Sequence, residues 1–284
     1  MSNTAILLID CPDRKGLVAA IANFLLEHNA NILHADQHQD NELGLFFMRV
    51  EFSLEDFDLS EDAFRAAFAP LGTRYSMNWQ IYYSGRHPAV AIFVSQYLHC
   101  LADLLHRHQT GEFHCRIAVI ISNHEGGRTL AEFYGIPFHY LPVTPQTKAE
   151  VEARHFQLLE EHAVELVVLA RYMQILSPEF VRRYPHRIIN VHHSFLPAFT
   201  GARPYHAAFA RGVKLIGSTS HYVTEILDDG PIIEQDVVRI SHRDQVEDLV
   251  ARGRDLERMV LSRAVRWHLD RRILCYGNKT VVFD

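Results

Sequence analysis

In the run Ile189-Asn190-Val191-His192-His193-Ser194-Phe195-Leu196-Pro197, an amide and an imidazole flank a single apolar residue just after a short apolar segment. Strand geometry puts Asn190 and His192 on one side and turns Val191 back toward a core. An amide N–H can donate to an oxygen that gains negative charge. An imidazole can donate to the same oxygen or pass a proton to a leaving nitrogen, so the pair suits acyl chemistry. As plain structure, Asn190 would cap a turn and His192 would be an ordinary loop histidine, one of 19 in the chain. A third candidate is Asp228 in Leu227-Asp228-Asp229-Gly230-Pro231. Turn chemistry reads this segment as a hairpin turn. Read as a site, it supplies a carboxylate that could hold an imidazolium and orient or deprotonate water.

These groups need a scaffold. The segment 187–189, after Tyr184-Pro185, reads as a strand, and the ends of such strands are where open α/β sheets do chemistry. From Ala89 onward strand and helix patterns alternate: strands at 90–94, 116–121, 138–141 and 165–170, and helices at 98–105, 129–134, 148–162 and 177–183. That alternation predicts a parallel sheet. Ser177 followed by Pro178 makes a helix N-cap and first turn. Val246, Leu249, Val250, Gly253, Leu256, Val260, Ala264 and Trp267 trace one face of a long C-terminal helix.

The first 80 or so residues have another rhythm. Strands are expected at 4–10, 31–37, 46–52 and 77–82. One helix carries Leu17, Val18, Ile21, Phe24 and Leu25, and a second carries Phe64, Ala67, Phe68 and Leu71. In the third strand Phe46, Met48, Val50 and Phe52 alternate with Phe47, Arg49 and Glu51, as in a strand buried on one side. The order β-α-β-β-α-β is a ferredoxin-like plan whose open sheet face and edges need covering. With a boundary at 84–89, the expected domains are 1–84 and 89–284. The fold class is α/β: a ferredoxin-like βαββαβ domain followed by a Rossmann-like, mostly parallel sheet.

The bulk numbers are compatible with this plan. At 284 residues the chain can bury two cores. Lys+Arg 28 against Asp+Glu 34 gives a net charge of -6, which speaks against nucleic acid as a partner. No apolar run nears the roughly 18 residues of a membrane span. The start Met1-Ser2-Asn3-Thr4 lacks the basic region of a secretory signal, so a cytoplasmic protein with no membrane partner is expected. The four cysteines show no CxxC spacing, and neither a His-Glu-x-x-His nor a phosphate-loop sequence occurs, so no metal site is expected.

The motifs Asn190-Val191-His192 and Leu227-Asp228-Asp229-Gly230-Pro231 resemble those of the folate-dependent formyltransferase family. Over nearly the whole chain the resemblance is closer to the formyltetrahydrofolate deformylases. It rests on Ala170-Arg171-Tyr172-Met173-Gln174-Ile175-Leu176-Ser177, on 190–199, and on an N-terminal segment similar to the ACT domain family through Asp13-Arg14-Lys15-Gly16-Leu17. This resemblance implies hydrolysis of 10-formyltetrahydrofolate to tetrahydrofolate and formate, with water in place of an amine acceptor and with no cofactor. It implies that Asn190 polarises the formyl oxygen. His192 would stabilise the tetrahedral intermediate and protonate N10, and Asp228 would position water and support charged His192. Met173, Gln174, Ile175 and Leu176 would fall on the pterin-binding loop, and Tyr222, Val223 and Thr224 on a second folate-lining segment, with His221 at its border. As plain structure these positions, Ile175 and Leu176 above all, would pack in the core. The resemblance further implies methionine and glycine as effectors at Asp13, Arg14, Gly16 and Leu17, and a homo-oligomer formed through the N-terminal sheet.

Some positions depart from the relatives. Where glycinamide ribonucleotide formyltransferases have a Gly-Ser-Asn phosphate cradle, this chain reads Val94-Ser95-Gln96-Tyr97-Leu98-His99-Cys100. Without that glycine the backbone is less free to wrap a phosphate, which argues against a ribonucleotide acceptor. Within the deformylase pattern, Gln96 stands where lysine is common and Arg203 where asparagine is usual. Two other readings stay open on sequence: formyl transfer to an amine acceptor, and a folate or amino-acid sensor without turnover.

Overall fold

The computed structural model describes residues 3–197 and 204–283. Chain contacts divide it into two compact units. One runs to His87 and takes in Arg271–Tyr276 and the residues from Val281 on; the other is Pro88–Asp270 with Gly277–Thr280. Within the expected second domain of 89–284, then, Arg271–Tyr276 and the residues from Val281 on group with the first unit.

The first unit contains β1 (Thr4–Pro12), α1 (Leu17–Glu27), β2 (Asn31–Asp40), β3 (Leu45–Ser53), α2 (Glu61–Tyr75) and β4 (Asn78–Tyr83). Its antiparallel sheet has the order β2-β3-β1-β4, the ferredoxin-like arrangement. One face packs on the helices through Leu7, Ile9, Ile21, Leu25, Met48, Val50, Phe52, Phe64 and Phe68. The other face is not left open, because Phe47 and Leu8 are buried with Val281 and Phe283, and Leu274 and Tyr276 pack against them. These four come from a hairpin, β12 (Ile273–Tyr276) and β13 (Lys279–Val282), and the residue after it. The one-sided reading of the third strand fails for this reason: Phe47 is fully buried, and Arg49 donates through Nε to the Arg271 carbonyl at 3.1 Å.

The second unit holds β5 (Ala89–Val94), α3 (His99–Gln109), β6 (Arg116–Ser122), α4 (Arg128–Phe133), β7 (Phe138–Tyr140), α5 (Lys148–Glu161), β8 (Leu166–Ala170), α6 (Pro178–Arg183), β9 (Ile188–His192), α7 (Pro204–Arg211), β10 (Leu215–Tyr222), β11 (Ile232–Arg239) and α8 (Val246–Leu269). Its seven strands run in the order β11-β10-β9-β8-β5-β6-β7. The five strands from β9 to β7 are parallel; β10 and β11 add antiparallel at the β9 side. The strand order reverses between β5 and β8, and in such sheets the crevice outside the strand C-termini at that point receives ligands. Ser177 caps α6 by accepting the Phe180 N–H at 3.1 Å, with Pro178 in the first turn as the sequence implies. Among the described residues, no helix is long and apolar enough to cross a membrane.

Candidate active site

Asn190 and His192 end β9, and the register pairs them with His221 and Thr219 of β10. Cross-strand partners share a sheet face, so Asn190 and His221 meet side by side. Asn190 Nδ2 donates to His221 Nε2 at 3.3 Å. The connection from β10 to β11 then brings Asp228 back over this strand end. Its Oδ2 lies 3.3 Å from His192 Nδ1 and its Oδ1 3.8 Å from His221 Nε2. The segment turns between β10 and β11, as the hairpin reading has it, and the turn sets the Asp228 carboxylate between His192 and His221. Asp228 has φ 56°, a left-handed conformation that aspartate tolerates better than most residues.

The protonation pattern follows from what each atom can do. Asp228 as a carboxylate only accepts, so His192 Nδ1 is the N–H that faces it, and in the neutral ring Nε2 keeps the lone pair. That Nε2 is buried and has no hydrogen-bond partner among the described residues. His192 beside it holds the Asp228 carboxyl below its ordinary range, against the opposing effect of burial. Burial pushes the His221 imidazole down, favouring its neutral form. Burial, with Arg171 and His192 nearby, pushes His193 down to about 4.

Small polar residues of β10 anchor the chain that leaves β9. Ser218 Oγ donates to the His192 carbonyl at 3.0 Å and Thr219 Oγ1 to the Ser194 carbonyl at 2.9 Å. Thr219 Oγ1 accepts in turn from Leu196 N at 3.1 Å and from Gln235 Nε2 at 2.9 Å. Each hydroxyl thereby satisfies a buried backbone group and fixes where His192 sits.

This geometry can be set beside known proteins. The formyl transferase family matches residues 89–265 and the ACT domain family residues 5–69. A formyltetrahydrofolate deformylase of Synechocystis sp. is 53% identical over 99% of this chain and 98% of its own. One of Bacillus subtilis is 52% identical over 98% of this chain and 93% of its own. The crystal structure of a formyltetrahydrofolate deformylase from Pseudomonas syringae pv. tomato is similar with TM-score 0.98 and 52% identity, covering 100% of this chain and 95% of that one. The chain belongs to the formyltetrahydrofolate deformylase family.

For a deformylase-family chain, the remaining positions marked in the sequence divide into two groups. Met173 and Ile175 are exposed on the loop after β8, and Gln174 is half-buried there. Met173 N donates to Ser95 Oγ at 2.9 Å and Ser95 Oγ donates to Asn123 Oδ1 at 2.6 Å, which ties the loop to the ends of β5 and β6. Leu176 and Val223 instead pack on the core of this unit. Tyr222 alternates to the sheet face opposite His221. There it is buried and its hydroxyl meets His268 Nδ1 at 2.7 Å, so the structure makes it a core residue. Thr224 Oγ1 donates to the Ile226 carbonyl at 3.1 Å and shapes the turn that leads to Asp228. Gln96 is exposed just after β5, and Arg203 and Phe199 lie outside the described residues.

One ionic network escaped the sequence reading. Extending the β8–β9 register, in which Leu169 pairs with Asn190, puts Arg171 level with His192. Arg171 Nε lies 3.3 Å from Glu257 Oε2, His99 Nε2 lies 2.7 Å from the same oxygen, and Tyr205 Oη donates to Glu257 Oε1 at 2.7 Å. Burial alone would raise the Glu257 carboxyl, but His99, Arg171 and Tyr205 together outweigh it and hold it below its ordinary range. Gly253 makes room for this, since a Cβ there would fall 2.1 Å from Tyr205 Oη. The available signal was Glu257 itself, a carboxylate set among Leu249, Gly253, Leu256, Val260 and Ala264 on the apolar stripe of α8. His99, Cys100 and Glu257 have ligand-type atoms within 4.8 Å of one another. A cation there would compete with the Arg171 guanidinium, and burial pushes the Cys100 thiol well above its ordinary range, so the cluster suits charge neutralisation better than metal binding.

Proposed function

We propose that this chain hydrolyses 10-formyltetrahydrofolate to tetrahydrofolate and formate, using Asn190, His192 and Asp228 and no cofactor. The observation that carries the reading is the state of His192, two residues from Asn190 at the end of β9: Asp228 holds one ring nitrogen, and the other is buried and has no partner among the described residues. Asn190 donates an N–H to the formyl oxygen, which gains charge as water adds to the formyl carbon. Asp228 orients that water and stabilises the imidazolium form of His192. One water proton passes through His192 Nε2 to N10 as the C–N bond breaks. The second leaves with formic acid, which ionises to formate. The exposed apolar side chains of Met173 and Ile175 are suited to cover the pterin, and the backbone of 222–224 to line it.

Incubation of the purified protein with 10-formyltetrahydrofolate and no acceptor should release formate in step with tetrahydrofolate. Loss of the formyl group only when an amine is added would replace hydrolysis with transfer, and folate binding without either would make the chain a sensor.

The first unit supports a regulatory role. A cavity of about 440 Å³ is lined by Asp13, Arg14, Gly16, Leu17, Gln37, His38, Gln39 and Phe46, among others. Gly16 precedes α1 with φ 91°, no side chain among the described residues caps that helix, and no acidic residue lies in its first turn. Its free N–H groups and dipole favour the carboxylate of a small amino acid such as methionine or glycine. β2 is an edge strand with nearly every side chain exposed over ten residues. A second copy pairing along it would cover that edge, and this supports a homo-oligomer.

A further inference from the structure

Within the hydrolysis reading above, Asn190 can act only if its amide faces the right way. We infer that His221 is a positioning residue that fixes this orientation, and that Gly230 keeps the lock in place. His221 Nδ1 lies 2.9 Å from the carbonyl oxygen of Tyr222. A carbonyl only accepts, so Nδ1 carries the proton and the neutral ring presents a lone pair at Nε2. Asn190 meets that lone pair at 3.3 Å and must offer it an N–H. One amide hydrogen is thereby held by His221, and the other is left to point at the formyl oxygen. Turned over, the same amide would present Oδ1 to that oxygen and oppose the charge that develops there.

Two charged or titratable groups face His221 here: Asp228, with Oδ1 at 3.8 Å, and His192, which shares Asp228. A protonated His221 would donate from Nε2 and favour the reversed amide. Its burial opposes that state. Gly230 touches the same lock from the far side of the turn. A Cβ at Gly230 would fall 1.7 Å from the Tyr222 carbonyl oxygen and 3.3 Å from His221 Nδ1. Any side chain at 230 would push away the acceptor that sets the tautomer. The glycine after the acidic pair therefore does more than permit a turn.

The test is a double-mutant cycle on formate release. His221→Leu should lower kcat by about 10²-fold, in line with losing an oriented oxyanion donor, with KM changed by less than about 3-fold. In an Asn190→Ala background the same substitution should change kcat by less than about 3-fold, because its partner is gone. His221→Gln, which can accept from Asn190 and donate to the Tyr222 carbonyl, should recover most of the loss. Equal costs of His221→Leu in both backgrounds, or a Gln variant as impaired as the Leu variant, would overturn the assignment. ¹⁵N NMR of histidine-labelled wild-type protein gives a readout independent of any variant's folding. His221 should appear as the neutral Nδ1–H tautomer, and the Nε2–H tautomer would refute the lock. Wild-type protein that releases no formate defeats the hydrolysis reading and leaves the tautomer result standing.

Discussion

His192 Nδ1 lies 3.3 Å from Asp228 Oδ2, although His192 ends β9 and Asp228 stands on the connection from β10 to β11. This contact assigns the ring nitrogens: the bonded one holds its proton, and in the proposed hydrolysis Nε2 is the atom left to exchange protons with water and N10. Asp228→Asn keeps the shape of the side chain and removes its charge. It should leave folate affinity nearly unchanged and reduce turnover by at least about 10²-fold. Formate-release kinetics and equilibrium folate binding on the same preparation decide this. A variant that turns over within a few-fold of wild type would remove Asp228 from the mechanism.

The Arg171–Glu257 ion pair is buried, with side chains 9% and 1% exposed. Glu257→Gln would leave the guanidinium without its counter-charge, while His99 and Tyr205 would lose a charged partner. A loss of roughly 3–5 kcal/mol in unfolding free energy is expected, as for other buried pairs broken on one side. Adding Arg171→Met to this variant should recover part of the loss, because the stranded charge is then gone too. Urea unfolding of both variants checks the pair, and strictly additive effects would show that the two residues are not coupled.

How far the sequence reads depends on what each residue answers to. The βαββαβ order and the parallel strands follow from periodicity because their side chains face one core or two. β10 does not read this way: Leu215–Tyr222 is LIGSTSHY, and its hydroxyls are buried as anchors for the chain after β9. β12 and β13, four residues each, are too short to show a period, yet they cover the sheet face that seemed to need a partner. Asn190 and His192 were visible as a pair at a strand end. The family resemblance pointed to Asp228. The work of His221 was hidden, since it depends on which residue lies opposite it in the next strand and on a carbonyl of its own backbone.

Gly16 offers a test of the proposed effector site. Its φ of 91° strains any L-residue, and an aspartate there would set a negative charge where an incoming carboxylate should bind. Gly16→Asp should abolish binding of methionine and glycine measured by calorimetry. Unchanged isotherms would move the effector site away from the start of α1.

His155 leads to a prediction about pH. It is buried among Phe93, Tyr172 and Phe180, and neither ring nitrogen has a hydrogen-bond partner among the described residues. Burial pushes it down to about 4 from an ordinary 6.5. Between those values the unfolded chain takes up a proton that the folded chain refuses, so stability is full above about pH 6.5 and falls as the pH drops toward 4. His193, also pushed to about 4, adds a loss of the same sign. Asp228 does not contribute in this window, because its carboxyl is held below an ordinary value of 3.8. Burial also lowers His139, His186 and His221, so His155→Leu removes one of several histidine contributions of the same sign, together with two buried nitrogens that have no partner among the described residues. Its unfolding free energy relative to wild type should rise by about 2 kcal/mol between pH 7.5 and pH 5, from 1.5 units at ~1.4 kcal/mol each. Urea titrations at the two pH values measure it, and parallel pH profiles for variant and wild type would show that His155 takes up a proton in the folded protein after all.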